Sequence, residues 1–581
     1  MDWLLLHPFW AIGLPIAASL PLGWLMWKAL DPPPGRIGRG IDAIPIGLLR
    51  LFGHREPVEM GWKRYALALL TFNAALFVLS FTVLWAQAWL PLNPDGKGPL
   101  TSLGYKDPSG TEHKDADTAV IFNTVCSFVT NTNLQHYSGE QHLSYFSQLG
   151  GIVWLQFVTP ACGLAVMLAV IRGLRGQKQL GDFYLDTARS LLFVLLPLAV
   201  IVAVLLVATG MPMTFQGAAK AVTLEGGIQT IARGPVAAEV AIKQLGTNGG
   251  GYFGPNSTHP FENPNAWSNL LEVVSIIVIP MACVVMFGLM IRDRAHAAVV
   301  FGVMATLLIV GAAIAIWAEL QPSPATAGQP VAQGANMEGK EVRHGPVASA
   351  TWSAITTATS NGSVNAMHDS FQPLGGVVPM SLMMLNVDFS GIGAGFLNML
   401  MYVITAVFLA GLMVGRTPEY LGKKIEAREV KVAMLAILIH PLLICCGTAI
   451  FSATDWGRGT VANPGPHGFS EILYEFDSAA ANNGSGFEGL ADNNPHWNIA
   501  TGIVLLLGRF PALVLPIAIA GFLAEKKRVP PSSGTLLTND LTFGAMLLGT
   551  VLLVGALSFM PAVVLGPIAD HLTTAAAAAK P

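Results

Sequence analysis

The sequence predicts an all-α polytopic membrane protein with about ten transmembrane helices, and composition and hydropathy patterning carry that prediction. Apolar residues make up 52% of the 581-residue chain, and charged residues make up only 12%, about half the share usual in soluble proteins. Ten stretches are apolar and long enough to cross a bilayer, which takes about 20 helical residues. This composition excludes a disordered chain and an ordinary soluble enzyme. The net charge of −3 gives no indication of a nucleic-acid partner.

The ten predicted spans follow from the distribution of charged residues along the chain. We place them near residues 9–29, 66–90, 151–171, 191–209, 270–291, 297–317, 396–414, 432–451, 498–520 and 543–565. The first span begins shortly after Met1-Asp2-Trp3, a start without a basic residue. We therefore expect a retained helix and not a cleaved signal peptide.

Lysine and arginine are distributed unevenly among the connections between these spans. The connections that follow odd-numbered spans hold 21 of the 32 basic residues, counting Lys28 at the end of the first span, and those that follow even-numbered spans hold 9. Basic residues accumulate on the cytoplasmic side of membrane proteins. We therefore predict that the four long, basic-poor connections and both chain termini lie outside the cytoplasm.

Each of the four long connections contains one recurring pattern, an apolar stretch that runs into a cluster of Asn, Thr, Ser and Gly. The apolar stretches are 120–129, 236–245, 347–359 and 470–481. With Asn133, Asn248, Asn361 and Asn483 as markers, the clusters recur at intervals of 115, 113 and 122 residues. Such periodicity predicts four helix–pore-loop–helix repeats in a pseudo-fourfold arrangement, with one extra helix at each end.

These repeats divide the chain into six predicted regions. They are 1–65 for the N-terminal extra helix and its cytoplasmic connection, 66–190, 191–295, 296–431 and 432–524 for repeats 1 to 4 with their loops, and 525–581 for the C-terminal extra helix.

The pattern within each loop is typical of a cation filter. A short re-entrant helix places the partially negative end of its dipole inside the membrane. Free backbone carbonyls at that depth are tolerated only where they line an enclosed or watery path, and glycine allows successive carbonyls to turn the same way. Rings of carbonyls replace the hydration shell of potassium. The candidate ligands are Asn131, Thr132 and Asn133, Thr247, Asn248 and Gly249, Ser360, Asn361 and Gly362, and Asn482, Asn483 and Gly484.

Longer motifs around these clusters resemble one known family. They are Asn-Thr-Asn-Leu-Gln at 131–135 with Tyr-Ser-Gly-Glu at 137–140, Gly-Thr-Asn-Gly-Gly-Gly at 246–251 with His-Pro-Phe-Glu-Asn-Pro at 259–264, Asn-Ala-Met-His-Asp-Ser-Phe at 365–371, and Gly-Arg-Thr-Pro-Glu-Tyr-Leu-Gly-Lys-Lys at 415–424. Together they resemble the potassium-binding subunits of the bacterial Kdp potassium pump over nearly the whole chain. Within the first motif, Gln135 is a candidate for supporting the filter.

The resemblance implies a specific function and set of partners. It implies a multi-pass subunit of the bacterial inner membrane that binds potassium from the outer side, as the transported substrate. The ion would pass through an intramembrane path to a P-type ATPase subunit, and two smaller accessory subunits would complete the complex. The partners would thus be these subunits and membrane lipid, without nucleic acid.

The chain carries no sign of nucleotide chemistry. The sequence contains neither a G-x-x-x-x-G-K-[ST] loop nor an Asp-Lys-Thr-Gly motif, and the longest cytoplasmic connection, near 30–65, is too short for a nucleotide-binding domain. We therefore expect a non-catalytic subunit without a bound nucleotide. The alternative is a self-sufficient potassium channel, or a symporter driven by an ion gradient, with the same architecture.

Arg509 stands near the middle of the ninth predicted span. A charge within a membrane segment indicates a function by default, here a gate or a barrier on the ion path. The alternative is a structural ion pair with a carboxylate such as Asp388, and the sequence leaves both open. Acidic residues that we expect near the mouths (Glu140, Glu262, Asp369 and Asp388) either attract cations or tie loops together. The histidines have no metal-ligand spacing and are interpreted as polar loop residues.

Overall fold

The computed structural model describes residues 3–33, 35–54, 56–100, 105–106, 112–113, 118–323, 334–415, 417–530 and 536–578, and these are mostly helical. The helices of the first half are α1 (Trp3–Leu30), α2 (Arg36–Leu51), α3 (Trp62–Trp85), α4 (Ala119–Val129), α5 (Gly139–His142), α6 (Trp154–Leu174), α7 (Phe183–Ser190), α8 (Leu196–Ala208), α9 (Val236–Leu245) and α10 (Ala266–Ile291). Those of the second half are α11 (Arg294–Glu319), α12 (Gly345–Ala358), α13 (Pro373–Leu385), α14 (Ala394–Val414), α15 (Ala427–Ala453), α16 (Asp455–Arg458), α17 (Pro466–Ala481), α18 (Pro495–Glu525), α19 (Leu541–Val563) and α20 (Ala569–Ala578).

In the part of the chain that the structure describes, strands are confined to three short antiparallel hairpins in the connections. They are β1 (Tyr105–Lys106) with β2 (Glu112–His113), β3 (Ala219–Val222) with β4 (Ile228–Ile231), and β5 (Glu419–Tyr420) with β6 (Lys423–Lys424).

Ten helical segments of the described chain are long and apolar enough to cross a membrane, which confirms the ten predicted spans. They are His7–Leu30, Trp62–Trp85, Ser147–Leu174, Phe183–Ala208, Ala266–Ile291, Arg294–Glu319, Ala394–Met413, Ala427–Ala453, Pro495–Glu525 and Leu541–Ala576. The third, fourth and tenth each join α-helix to a stretch of π-helix. Several of the spans begin at a capping side chain: for example, Asn265, Asn494 and Asp540 accept hydrogen bonds from the first free N–H groups of α10, α18 and α19.

The spans form an inner and an outer group. Most residues of α6, α10 and α14 are buried, whereas most of α1, α15 and α19 are not. The exposed side chains of the outer helices are themselves apolar, as at Leu442 on α15 and Leu557 on α19. Apolar side chains exposed along whole helices fit contact with lipid and not with water. The core therefore surrounds the inner helices, where the short loop helices also lie.

Four short helices, which we call the pore helices, occupy the four long connections: α4, α9, α12 and α17. Nearly all of their residues are buried. Helix α9 packs between α8 and α10, α12 against α11 and α13, and α17 between α15 and α18. Helix α4 contacts α3 and α6 of its own repeat and also α18 of the fourth, which closes the ring. The predicted four-repeat architecture with re-entrant helices is thereby confirmed.

The third repeat contains a break that the sequence did not predict. Helix α13 follows the third filter cluster, ends at Asn386 with a left-handed backbone (φ 48°), and is separated from α14 by residues 387–393. Both helices are apolar, but only α14 is long enough to be recognised as a span from hydropathy. The break places irregular backbone inside the buried core, where it is tolerated only if it lies within protein or along a watery path.

Candidate functional site

All four pore helices end in the same backbone turn. The N–H of Thr132 donates to the carbonyl oxygen of the residue five positions earlier, and so do the equivalent N–H groups in the other repeats. These bonds are Thr132 to Ser127 (2.9 Å), Asn248 to Lys243 (2.9 Å), Asn361 to Thr356 (2.8 Å) and Asn483 to Ser478 (2.9 Å). This is a Schellman motif, which needs one left-handed residue just before the donor. That residue is Asn131 (φ 66°), Thr247 (51°), Ser360 (48°) and Asn482 (55°).

The shared turn corrects the marker used in the first repeat. Thr132, and not Asn133, is the structural equivalent of Asn248, so the first interval is 116 residues (248 minus 132). Asn133 instead corresponds to the glycine that ends each of the other clusters. We call the triplets 131–133, 247–249, 360–362 and 482–484 filter loops 1 to 4.

Two of the three filter-loop glycines have the left-handed backbone that was expected, and the third is needed for a different reason. Gly362 (φ 87°) and Gly484 (φ 104°) have left-handed backbones, which glycine adopts without strain. Asn133 takes this conformation too (φ 61°), whereas Gly249 does not. Gly249 is required for space, because a Cβ there would lie 2.7 Å from the carbonyl oxygen of Thr132 and 2.9 Å from that of Asn483.

The four filter loops converge on one place. The N–H of Gly249 donates to the carbonyl oxygen of Thr132 at 2.9 Å, which joins loops 1 and 2. A Cβ on Gly362 would lie 2.8 Å from the Cα of Gly249, and it would also contact the carbonyl of Asn483. Backbone atoms of all four repeats therefore meet at a single point, as the pseudo-fourfold prediction requires.

Amide side chains connect neighbouring filter loops. Asn131 Nδ2 donates to the carbonyl oxygens of Gly246 and Thr247 (3.0 and 3.1 Å). Asn361 Nδ2 donates to Gln244 Oε1 on α9 (3.2 Å), and Asn483 Nδ2 to the carbonyl oxygen of Thr356 on α12 (2.9 Å). The side chains of these three candidate residues are thus used for holding the loops, which leaves their backbone carbonyls as the groups that can face an ion.

Gln135 lies where a supporting residue is expected. Its Oε1 accepts a hydrogen bond from the N–H of Gly251 (2.9 Å), just beyond filter loop 2. The contact fixes the outgoing chain of loop 1 against that of loop 2.

Filter loop 2 is supported by a buried ion pair that the sequence analysis missed. Lys243 on α9 and Glu262 are both fully buried and form a salt bridge. Lys243 Nζ also donates to Asn256 Oδ1 (2.6 Å), and Asn256 Nδ2 donates to the carbonyl oxygen of Gly249. Glu262 therefore ties the loop together and is not a free charge at the mouth. A lysine within a mostly apolar pore helix, four residues after Glu239, was the available signal.

Two other acidic residues from the outer connections also tie loops. Glu140 Oε2 accepts from the N–H of Gly254 (2.9 Å), and burial raises the pKa of its carboxyl. Asp369, which follows filter loop 3, contacts His467 Nε2 (3.0 Å), and His467 Nδ1 contacts Asp570 on α20 (2.8 Å). Burial lowers the pKa of His467, but hydrogen bonds to the two aspartates outweigh it and raise the pKa to about 10.

Below the filter loops lies a small cavity. Its lining includes the left-handed residues of three loops, Asn131, Ser360 and Asn482, together with Arg509 of α18. Arg509 is buried and, among the described residues, forms no ion pair with a carboxylate. Asp388 is fully buried, and neither of its carboxylate oxygens has a hydrogen-bond partner in the described part of the chain. The alternative of an Arg509–Asp388 pair is therefore wrong, and so is the expectation that Asp388 lies at the outer mouth.

The segment between α13 and α14 lies directly under the pore helices. The N–H of Gly391 donates to the carbonyl oxygen of Thr359 (2.6 Å), and the N–H of Ile392 to Thr247 Oγ1 (3.3 Å). Ser390 Oγ donates to the carbonyl oxygen of Ala358 (3.2 Å). These bonds hold residues 387–393, which we call the intramembrane loop, across the inner ends of two repeats.

A second cavity adjoins the first and extends sideways. The two share Asn386, Asn398 and Gly508 in their linings. The second runs between α14, α15, α18 and α19, past Tyr402 and His440. A space beneath the filter thus leads laterally toward the outer helices.

Comparisons with known proteins agree along almost the entire chain. The family model described as potassium-transporting ATPase A subunit matches residues 10–572. The potassium-transporting ATPase potassium-binding subunit of Pseudomonas aeruginosa is 48% identical over 573 residues, which cover 98% of both chains. The protein of the same name from Geobacillus kaustophilus is 47% identical over 561 residues, 96% of this chain and 97% of that one. The one from Alicyclobacillus acidocaldarius is 46% identical over 559 residues, again 96% and 97%.

Proposed function

Since this chain belongs to the potassium-transporting ATPase A subunit family, we propose that it is the potassium-binding and translocating subunit of an ATP-driven uptake pump. It binds K⁺ from the outer side in the four filter loops. The observation that supports this most strongly is the convergence of four identically turned loops, each at the partially negative end of a buried helix.

The ligands in this proposal are backbone carbonyl oxygens of filter loops 1 to 4. A carbonyl oxygen has two lone pairs. The hydrogen bonds to the oxygens of Thr132 and Gly249 therefore leave one lone pair on each for a cation. Because the four loops differ in sequence, the site has four unequal sides, and their side-chain hydrogen bonds fix how far the carbonyls can move.

The ion then leaves sideways and not straight through. The intramembrane loop and the positive charge of Arg509 obstruct the direct way to the cytoplasm, since a fixed cation in a narrow cavity repels a passing one. The lateral cavity offers the remaining route, toward a P-type ATPase subunit docked on the outer helices. Asp388, buried in the intramembrane loop between residues that line this route, is a candidate for lowering the cost of a cation there.

The proposal also includes the membrane, the topology and the partner subunits of the chain. The chain is a multi-pass protein of the bacterial inner membrane with both termini outside. It binds no nucleotide and acts only with a P-type ATPase subunit and two smaller accessory subunits. A filter of carbonyls lowers the dehydration cost equally in both directions, so uphill uptake needs the energised partner.

Reconstitution into vesicles tests this function. We expect the purified chain alone to have no ATPase activity and to accumulate no Rb⁺ against a gradient, and to gain both when reconstituted with the P-type ATPase subunit, the two accessory subunits and ATP. Uphill uptake by the chain alone, driven by protons or Na⁺, would establish a symporter instead. Rapid downhill flux through the chain alone would establish a channel.

A further inference from the structure

One histidine and two carboxylate side chains meet on the outer side of filter loops 1 and 4. His136 follows loop 1, Glu475 belongs to pore helix α17, and Asp492 lies in the connection after loop 4. His136 Nε2 is 3.1 Å from Glu475 Oε1 and 3.8 Å from Asp492 Oδ2. The three atoms all lie within 4.8 Å of one another. The side chains of His136 and Glu475 are buried, and that of Asp492 is 25% exposed, so the cluster is open to the outside on one side only.

The imidazole of His136 is oriented by a fixed partner. Its Nδ1 lies 2.8 Å from Asn498 Oδ1. Asn498 uses its Nδ2 to donate to Asn493 Oδ1 (3.3 Å), so its oxygen is the atom that faces the ring. An amide oxygen only accepts, and Nδ1 must therefore carry the hydrogen. In the neutral ring the lone pair then lies on Nε2 and points toward the two carboxylates, the arrangement by which proteins orient a metal-binding histidine.

Charge and spacing favour a divalent cation between these groups. Two carboxylates and a neutral imidazole carry a net charge of −2, which a dication cancels, whereas a proton on Nε2 leaves −1 in a largely buried place. Zinc bonds of about 2.0–2.2 Å in a tetrahedron place neighbouring ligand atoms about 3.3 Å apart. The observed separations of 3.1 and 3.8 Å bracket that value.

We propose that His136, Glu475 and Asp492 form a binding site for a divalent transition-metal ion of the zinc class, with water from the exposed side as the fourth ligand. Imidazole nitrogen selects such metals over potassium, so this site is separate from the filter. It joins the end of loop 1 to repeat 4, where the ring of repeats closes.

The other histidine–carboxylate cluster serves as an internal comparison. His467 has a carboxylate at each ring nitrogen, Asp369 at Nε2 and Asp570 at Nδ1, so no neutral acceptor fixes its tautomer and the protonated ring donates to both. If a metal ion bound nonspecifically to carboxylates on the outer side, substitutions in either cluster would reduce its binding equally.

Metal binding to the full-length chain, purified from membranes with any subunits that accompany it, tests this site. After treatment with a chelator and dialysis against Zn²⁺ at neutral pH, elemental analysis should find one tightly bound zinc per chain. His136→Ala should abolish this binding, Asn498→Ala should weaken it by about 10- to 100-fold because the ring loses its orienting partner, and His467→Ala should leave it unchanged.

Co²⁺ provides a second readout that a purely structural role would not affect. It should give the visible absorption of a tetrahedral nitrogen–oxygen site in the wild type and lose it in Asp492→Asn, whose partly exposed side chain makes misfolding a lesser concern. Absence of tight zinc in the folded wild type, or equal binding by wild type and His136→Ala, would overturn the proposal and leave a buried ion-pair cluster.

Discussion

Filter loops 2 and 3 share the turn at the end of their pore helices but differ in the side chains that support it. Loop 2 is fixed by charge, through the buried Lys243–Glu262 pair and Asn256, which holds the carbonyl of Gly249. Loop 3 is fixed by neutral groups. Trp352 Nε1 donates to the carbonyl oxygen of Ser363 (2.7 Å), and the Asn361 amide joins Gln244 on α9. The turn at the end of the pore helix is thus common to the repeats, while the side chains behind it are free to differ.

The difference has an energetic consequence. A buried salt bridge adds little net stability, yet removing one partner costs about 3–5 kcal/mol because the other charge stays buried and unpaired. A neutral hydrogen bond costs only about 0.5–1.5 kcal/mol to remove. Loop 2 should therefore be the more fragile of the two to single substitutions.

The largest expected effect is that of Lys243→Met. We expect it to destabilise the protein by about 3–5 kcal/mol, since Glu262 is left buried without its cation. Thermal unfolding of the detergent-solubilised protein measures the change. The double variant Lys243→Met/Glu262→Gln should regain much of the loss. Trp352→Phe on α12 removes one neutral hydrogen bond behind loop 3 and part of a buried ring, and it should cost less than Lys243→Met, about 1–2 kcal/mol. Equal losses for the single and double variants would contradict the comparison.

The next effect concerns the filter glycines. Gly362→Ala combines a left-handed backbone with contact against loops 2 and 4, so we expect about 1–3 kcal/mol of strain and weaker selection of K⁺ over Na⁺ in transport assays. Gly249→Ala suffers the contact alone and should be milder. Gly465→Ala is the matched control, because Gly465 has a positive φ (77°) but open space where the Cβ would lie. If Gly465→Ala matched Gly362→Ala, backbone strain alone would explain the loss.

A smaller and more selective effect is expected from Arg509→Gln. The side chain lines the cavity below the loops, so K⁺ binding from outside should persist while the transport rate changes. Binding and ATP-driven uptake should be measured on the same preparation. Arg428→Gln, at a helix end where the guanidinium stacks on Phe522, serves as the control. Wild-type values for both properties would leave Arg509 without a role in the ion path.

The smallest expected effect is a pH dependence at the C-terminal helix. The pKa of His467 is raised from 6.5 to about 10, so its stabilising contribution is complete below about pH 6.5 and is lost as pH rises through 10. Because the pair is partly exposed, we expect less than about 1 kcal/mol. Hydrogen exchange of α20 should accelerate between pH 7 and pH 10, beyond the intrinsic change, in the wild type but not in His467→Gln.

The sequence was sufficient for the spans and pore helices but not for their internal register. Runs free of charge reveal a span because length and apolarity are all that a bilayer requires. The equivalence of Thr132 with Asn248 depends on a hydrogen bond five residues back, which composition does not encode. Helix α13 was missed because its 13 residues are too few to span alone.

Contacts between residues that are distant in sequence could not be predicted, for a different reason. Lys243 and Glu262 pair across 19 residues, and His136 and Glu475 meet across 339. Asp388 and Arg509 lie near the same cavity system without pairing, although opposite charge alone made the pair plausible. Such relations are set by how the repeats pack around their axis, which a single sequence without its fold does not specify.

The most direct test of the central claim is an anomalous-scattering map of the protein crystallised with Rb⁺ or Tl⁺ in place of K⁺. We predict a peak enclosed by filter loops 1 to 4, within bonding distance of backbone carbonyl oxygens from all four repeats. A map with strong cation peaks elsewhere and none between the loops would contradict the assignment of these residues as the potassium site.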